Sequence, residues 1–344
     1  MSRKPFVLLA AAAVALGLLP VVGHYTARAA QEQVTPPPPG PAAAALTPVG
    51  TVRHRPLGEM SGIVKSRRYP DVYWVHNDSG DVPRLFAIRA NGDVVVPAWL
   101  RGNFSADGAA ESAERPAYPG LSVEMASNFD WEDIAIEGDT LYIADVGNNG
   151  NARRDLGVYV LAEPNPEATE KARVQQWLPV VYEDQKGFPE ARWHFDCEAV
   201  FAKAGKLYFV TKHRASGQIN APETGANLYR MDTRHADRPN VLKKIDGVAD
   251  LGGWVTAADL SPDGKTLAVL CHYPVQSVWL FEAKDGGDRF LTGRARRRVF
   301  TGGKQCEAIC WEDGNTLLVG NEQRDLFRLR VSEFRDAPSP APAR

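Results

Sequence analysis

Five stretches of this chain place acidic or small polar residues two apart at the head of a strand-like run. Aligned, a first column reads Glu59, Asp130, Asp196, Thr256 and Gln305, and a second reads Ser61, Glu132, Glu198, Ala258 and Glu307. Side chains two apart on a strand face the same way, so both columns point to one side of the sheet that carries them. Carboxylates gathered without counter-charge raise one another's pKa until a cation compensates. An oxygen-only set suits calcium best among the common ions, because calcium accepts six to eight flexible oxygen ligands. Glu132, Glu198, Glu307, Asp130 and Asp196 are therefore candidate metal ligands, joined by Asp145 at the end of the next run. An acid at a strand head also suits capping of amides in a neighbouring unit, and both uses stay open for Asp130 and Asp196.

The second strand of each stretch ends in further polar groups: His76, Asn77 and Asp78; Asp145; Lys212 and His213; Cys271 and His272; Asn321 and Glu322. A hairpin brings that end back beside the head of the first strand, so these groups share a rim with the two columns. His213, His272 and Asp145 are the candidates for acid-base catalysis. A solvated surface residue is the plainer use of a rim histidine.

The elements that must position these groups are repeated hairpins. Phe129 to Asn149, FDWEDIAIEGDTLYIADVGNN, has two apolar, β-branched arms around a turn at Glu137-Gly138-Asp139. Phe195 to His213 and Lys304 to Glu322 repeat the layout, and Glu59 to Asp78 and Thr256 to His272 are weaker copies. Equivalent positions, from Ser61 through Glu132, Glu198 and Ala258 to Glu307, lie 71, 66, 60 and 49 residues apart. Repeats that long, built of short strands and Gly-containing turns, predict an all-β propeller with four-stranded blades. A β-sandwich of unrelated hairpins is the alternative. Five blades are expected, the last completed by an N-terminal strand within Val49–Gly58 that would hide both open edges. A sixth blade is the alternative if Asn103–Asn128, read as a surface excursion, contains one. The Asn91-Gly92 pair predicts a hairpin across Arg84–Leu100.

Around this domain, assigned to residues 49–335, the chain changes character. Residues 1–29 carry Arg3 and Lys4, an apolar run and Ala27-Arg28-Ala29, the pattern of a cleaved export signal. A periplasmic or secreted location follows as an expectation, with no stable membrane insertion after cleavage. Residues 30–48, with Pro36 to Pro39 in a row, predict an extended linker, and residues 336–344 a disordered tail. A formal charge of −2 and the absence of a basic run with interleaved aromatics carry no nucleic-acid signature, so no nucleic-acid partner is expected. Cys197, Cys271, Cys306 and Cys310 lack Cys-x-x-Cys spacing and are expected as buried thiols. No nucleophile elbow or His-Glu-x-x-His helix occurs.

Ser61-Gly62-Ile63 in the first repeat and Asp130-x-Glu132-Asp133-Ile134 in the second resemble motifs of the SdiA-regulated family of bacterial β-propellers. The chain is more loosely similar to phytase-like, gluconolactonase-like and TolB-like propellers. The resemblance spans Glu59 to Asn149, with Asp133 where the family has Gly. It implies an exported propeller with a calcium site and supplies no reaction. Two functions follow as expectations: a module binding a small molecule or protein at an acidic, calcium-holding mouth, or a metal-dependent hydrolase of a phosphoester, lactone or similar ester.

Overall fold

The computed structural model describes residues 43–105 and 115–343. The expected export signal and the Pro-rich part of the linker lie outside the described residues. Two short strands come first, β1 (Ala44–Ala45) and β2 (Gly50–Thr51). Blade 1 holds β3 (Met60–Lys65), β4 (Tyr73–Asn77), β5 (Arg84–Ile88) and β6 (Leu121–Glu124). Blade 2 holds β7 (Trp131–Glu137), β8 (Thr140–Asp145) and β9 (Gly157–Ala162). After β10 (Lys171–Arg173), it is completed by β11 (Gln176–Tyr182). Blade 3 runs from β12 (Trp193–Lys203) and β13 (Lys206–Arg214), past β14 (Pro222–Glu223), to β15 (Ala226–Met231) and β16 (Asn240–Val248). Blade 4 is β17 (Gly253–Leu260), β18 (Thr266–Pro274), β19 (Ser277–Glu282) and β20 (Arg294–Thr301). Blade 5 is β21 (Cys306–Asp313), β22 (Thr316–Asn321) and β23 (Asp325–Arg330), and β24 (Arg335–Ala337) follows.

The innermost strands β3, β7, β12, β17 and β21 pack in that order, and β21 returns to β3, so the described residues form a ring of five antiparallel units. Each neighbouring pair of blades encloses its own apolar cluster. Trp74 and Trp131 meet between blades 1 and 2, Phe209 and Tyr182 between 2 and 3, Phe201 and Phe281 between 3 and 4. Leu270 and Phe327 meet between blades 4 and 5, and Met60 and Leu318 close the circle. This sandwiching explains the strand patterns. Inner strands such as β7 and β13 are buried on both faces and carry unbroken apolar stretches at residues 134–136 and 207–210, whereas the burial of outer β11 alternates.

The seam closes where the sequence places it. β2 adds antiparallel to β23, with Gly50 opposite Leu326 and Thr51 opposite Asp325. Val49 donates to Leu326 O at 2.7 Å and Val52 to Arg324 O at 2.8 Å, while the Thr51 hydroxyl donates to Asp325 at 3.0 Å. The four cysteines are buried and free, as expected.

Four expectations fail, all at outer edges. The outer strand of blade 1 is β6, inside the stretch read as an excursion. The Asn91-Gly92 turn forms, but only the single bridge of Ile88 to Val94 pairs across it. Pro97, which has no amide hydrogen, leads instead into a short 3-10 turn at Ala98–Leu100. The end of the expected linker is not free either: β1 pairs parallel with β20 at Phe300 and Thr301. Nor is the tail disordered, since β24 pairs with β20 and Ala341 and Ala343 bond to blade 3 at Ala249 and Gly247. The common reason is that an outer strand offers a row of unpaired backbone groups, which Ala- and Pro-rich chain satisfies without needing particular side chains.

Candidate metal centre

The polar columns converge at the end of the ring where the innermost strands begin. Asp130 precedes β7, Glu132 is its second residue, Asp196 and Glu198 lie in β12, and Glu307 is second in β21. Asp78, just past β4, and Glu322, just past β22, join them. Carboxylate oxygens form three overlapping triads, each within 4.8 Å: Asp78–Glu307–Glu322, Asp78–Asp130–Glu132 and Glu132–Asp196–Glu198. Blade order explains the chain of triads. Blade 5 supplies Glu307 and Glu322, blade 1 Asp78, blade 2 Asp130 and Glu132, and blade 3 Asp196 and Glu198. The expected trio of Glu132, Glu198 and Glu307 therefore does not meet as one set, because Asp78 of blade 1 stands between.

The triads differ in counter-charge. Lys212 donates to Glu198 at 2.9 Å, and Arg214 to Asp196 at 2.9 Å, with Arg214 also 3.5 Å from Glu198. Both cations flank the Trp254 ring, at 5.1 and 4.9 Å. Asp196 further accepts the Asn148 amide at 2.6 Å. Burial still pushes the Glu198 carboxyl up, and the Lys212 ammonium opposes this. Glu132 has no such help. It is 4% exposed, its carboxylate accepts no hydrogen bond among the described residues, and its charged neighbours are Glu198, Asp78, Asp130 and Asp196. Burial, then these carboxylates, raise it well above the ordinary range. Burial, then Asp78 and Asp196, push Asp130 up to about 7, and burial, then Glu307 and Glu59, push Asp78 up to about 6. Glu322 is pushed up to about 8 by burial and by Glu307.

Room for this crowding comes from Gly147. A Cβ there would stand 2.1 Å from Glu132 Oε1 and 2.4 Å from Asp130 Oδ2, so any side chain would displace both carboxylates. The DVGNN loop thus serves the site through what it lacks.

No family model matches the chain, and no curated protein does. Among solved structures it is similar to the hydrazine synthase of Kuenenia stuttgartiensis, at 12% identity over 76% of this chain and 69% of that one, with a TM-score of 0.40. It is similar, at 11% identity, to a chain of a mitotic checkpoint complex, over 87% of this chain and 97% of that one, again at 0.40. Neither likeness bears on the site.

Three candidates fall outside the triads. Asp145 is 1% exposed, ion-paired with Arg153 at 2.9 Å, and accepts the amides of Phe129 at 3.3 Å and Asp130 at 3.2 Å. It clamps the loop that presents Asp130 rather than facing an ion. His213 lies between Lys212 and Arg214 on β13, so strand alternation turns it away from the mouth. It stacks on His194 at 3.7 Å and bonds Thr211 at 3.1 Å. His272 stays at the rim beside Glu307, with Gln276 at 3.4 Å.

Amide capping between blades occurs in the first column at Asp196, which takes the Asn148 amide of blade 2, and again one residue beyond the second column. Asp133 accepts the amides of Ile134 and Val200, both at 2.8 Å, and Asp259 those of Leu260 and Trp311, both at 2.8 Å. The acid at the equivalent place in repeats two and four was the signal for it. Lys212 was on the expected rim without a role, and Arg214 was missed.

Proposed function

We propose that the protein is a binding propeller whose mouth holds a calcium ion at Asp78, Asp130 and Glu132 and offers it to a ligand or partner. The observation that carries this is the buried Glu132 carboxylate, which has acids for neighbours and no donor among the described residues. An unpaired buried charge costs several kcal/mol, so such a group either takes up a proton or takes up a cation. The donors are all carboxylate oxygens from two adjacent blades, a hard set that fits calcium. Glu132→Gln keeps the shape and removes the charge. The resemblance to the SdiA-regulated family accords with this reading, and the export signal expected at residues 1–29 would deliver the site outside the cytoplasm. A hydrolase would need a base beside the ion, and His213 faces away from it.

Calcium added to chelator-stripped protein should raise its melting temperature, since a ligand that binds only the folded state stabilises it. Glu132→Gln should abolish the rise. A wild-type melt unmoved by calcium at millimolar excess would overturn the proposal.

A further inference from the structure

The mouth is framed by apolar side chains as well as acids. Nine large hydrophobic residues are exposed among the described residues, and five of them, Val82, Met125, Phe129, Ile219 and Tyr273, lie at this one end, Tyr273 at the close of β18 and the others in loops, exposed from 49% to 75%. Single exposed hydrophobics need no explanation, but a set gathered around one opening marks an interaction surface. Four of the five are tied to the mouth. Phe129 adjoins Asp130 and lies under the Arg153 guanidinium at 5.8 Å, and Asn128 beside it donates to Asp78 O at 2.9 Å. Ile219 O accepts from Arg214. The Tyr273 ring lies 6.3 Å from Trp254, which Lys212 and Arg214 flank. Val82 follows Asp81, which accepts from Asn77 at 2.6 Å next to Asp78. The mouth is acid-rich: Asp78, Asp130, Glu132, Asp196, Glu198, Glu307 and Glu322 gather there against two cations, Lys212 and Arg214, and Gln305 donates to both Glu307 and Glu322. Arg153 is taken by Asp145.

We infer that this face docks a protein segment bearing a Lys or Arg side chain flanked by apolar residues. The cationic head enters among Asp78, Glu307 and Glu322, and the flanking side chains lie on Phe129, Met125 and Tyr273. An aromatic and aliphatic frame around a charged centre provides both the desolvated contact and the selection for a basic residue. The inference rests on the binding-module reading; it shares Asp78 with the ion, whose other ligands are Asp130 and Glu132, while Glu307 and Glu322 serve docking alone.

The test uses four labelled, end-blocked pentapeptides with cores Phe-Lys-Leu, Ser-Lys-Ser, Phe-norleucine-Leu and Phe-Glu-Leu, followed by fluorescence anisotropy on the full chain in chelator and in calcium. The Phe-Lys-Leu peptide should bind at least about tenfold tighter than the other three, a difference of ~1.4 kcal/mol. Glu307→Gln with Glu322→Gln, and separately Phe129→Ser with Met125→Ser, should each remove about tenfold of that affinity, while their melts stay near wild type. Equal affinity for all four peptides, or no response to either double variant, would overturn the docking face. Preference for Phe-Glu-Leu in calcium alone would mean an anionic partner bridged by the ion, and would overturn it too. Peptide discrimination without a calcium shift in the melt would sink the ion and leave docking standing; a calcium shift without discrimination would do the reverse.

Discussion

The carboxyl of Asp130 ties the stability of the metal-free protein to pH. Burial first, then the Asp78 and Asp196 carboxylates, push it up to about 7 from an ordinary 3.8. A carboxyl whose folded pKa lies above its unfolded value lets the native state hold more protons than the unfolded one. Stability is then greatest below the unfolded pKa and is lost as pH rises through the folded one. At ~1.4 kcal/mol per unit, Asp130 alone should cost the fold roughly 4 kcal/mol between about pH 4 and pH 7. Asp78, pushed up to about 6, titrates in the same window and shares part of that cost through coupling. Urea unfolding followed by tryptophan fluorescence at about pH 5 and pH 7, in chelator, should show the wild type weakening with a slope that Asp130→Asn largely removes. Calcium should restore the loss, adding ~4 kcal/mol at a thousandfold excess over its dissociation constant. A metal-free slope unchanged by Asp130→Asn would refute the reasoning.

Gly147→Ala should weaken calcium binding by at least about tenfold in a calorimetric titration, because its Cβ would meet Glu132 Oε1 at 2.1 Å. Asp133→Ala should cost about 3 kcal/mol in urea melts, because it leaves the amides of Ile134 and Val200 buried without an acceptor, yet keep the calcium shift. Lys212→Met should leave Glu198 with only the more distant Arg214, lowering the melting temperature in chelator and enlarging the calcium shift, the opposite of a merely structural loss. Removing the chain through Val52 should lower the melting temperature by roughly 10 °C more than removing it through Leu46, since only the former strips β2 from β23.

Inner strands were legible because their side chains carry the code: apolar runs such as LYIAD and a Gly-bearing turn recur in each blade. β6 was not, because its alternation of Leu121 and Val123 with Ser122 and Glu124 is four residues long. β1 and β24 pair through backbone groups that leave no mark in Ala44, Ala45 or Asp336. In the site, Asp130, Glu132, Asp196, Glu198 and Glu307 follow from the two columns. Which of them share an ion does not, since that depends on which blades are neighbours and on how far Asp78 reaches in from its loop. The outward turn of His213 was implicit in alternation once Lys212 faced Glu198. The capping acids Asp133 and Asp259 show that a repeated acid can be structural in one column and electrostatic in the next.

The placement of both chain ends on one outer strand has a mechanical side. β1 and β24 hold β20 through ladders of two and three residues, beyond the seam formed by β2 and β23. Tension applied to the chain beyond β1 and beyond β24 would strip the Ala341 and Ala343 bonds to blade 3 and then these short ladders, each releasing a few residues of slack, and would load the seam only after β1 had peeled away. The ladders act as sacrificial links, and the ring stays shut while they give.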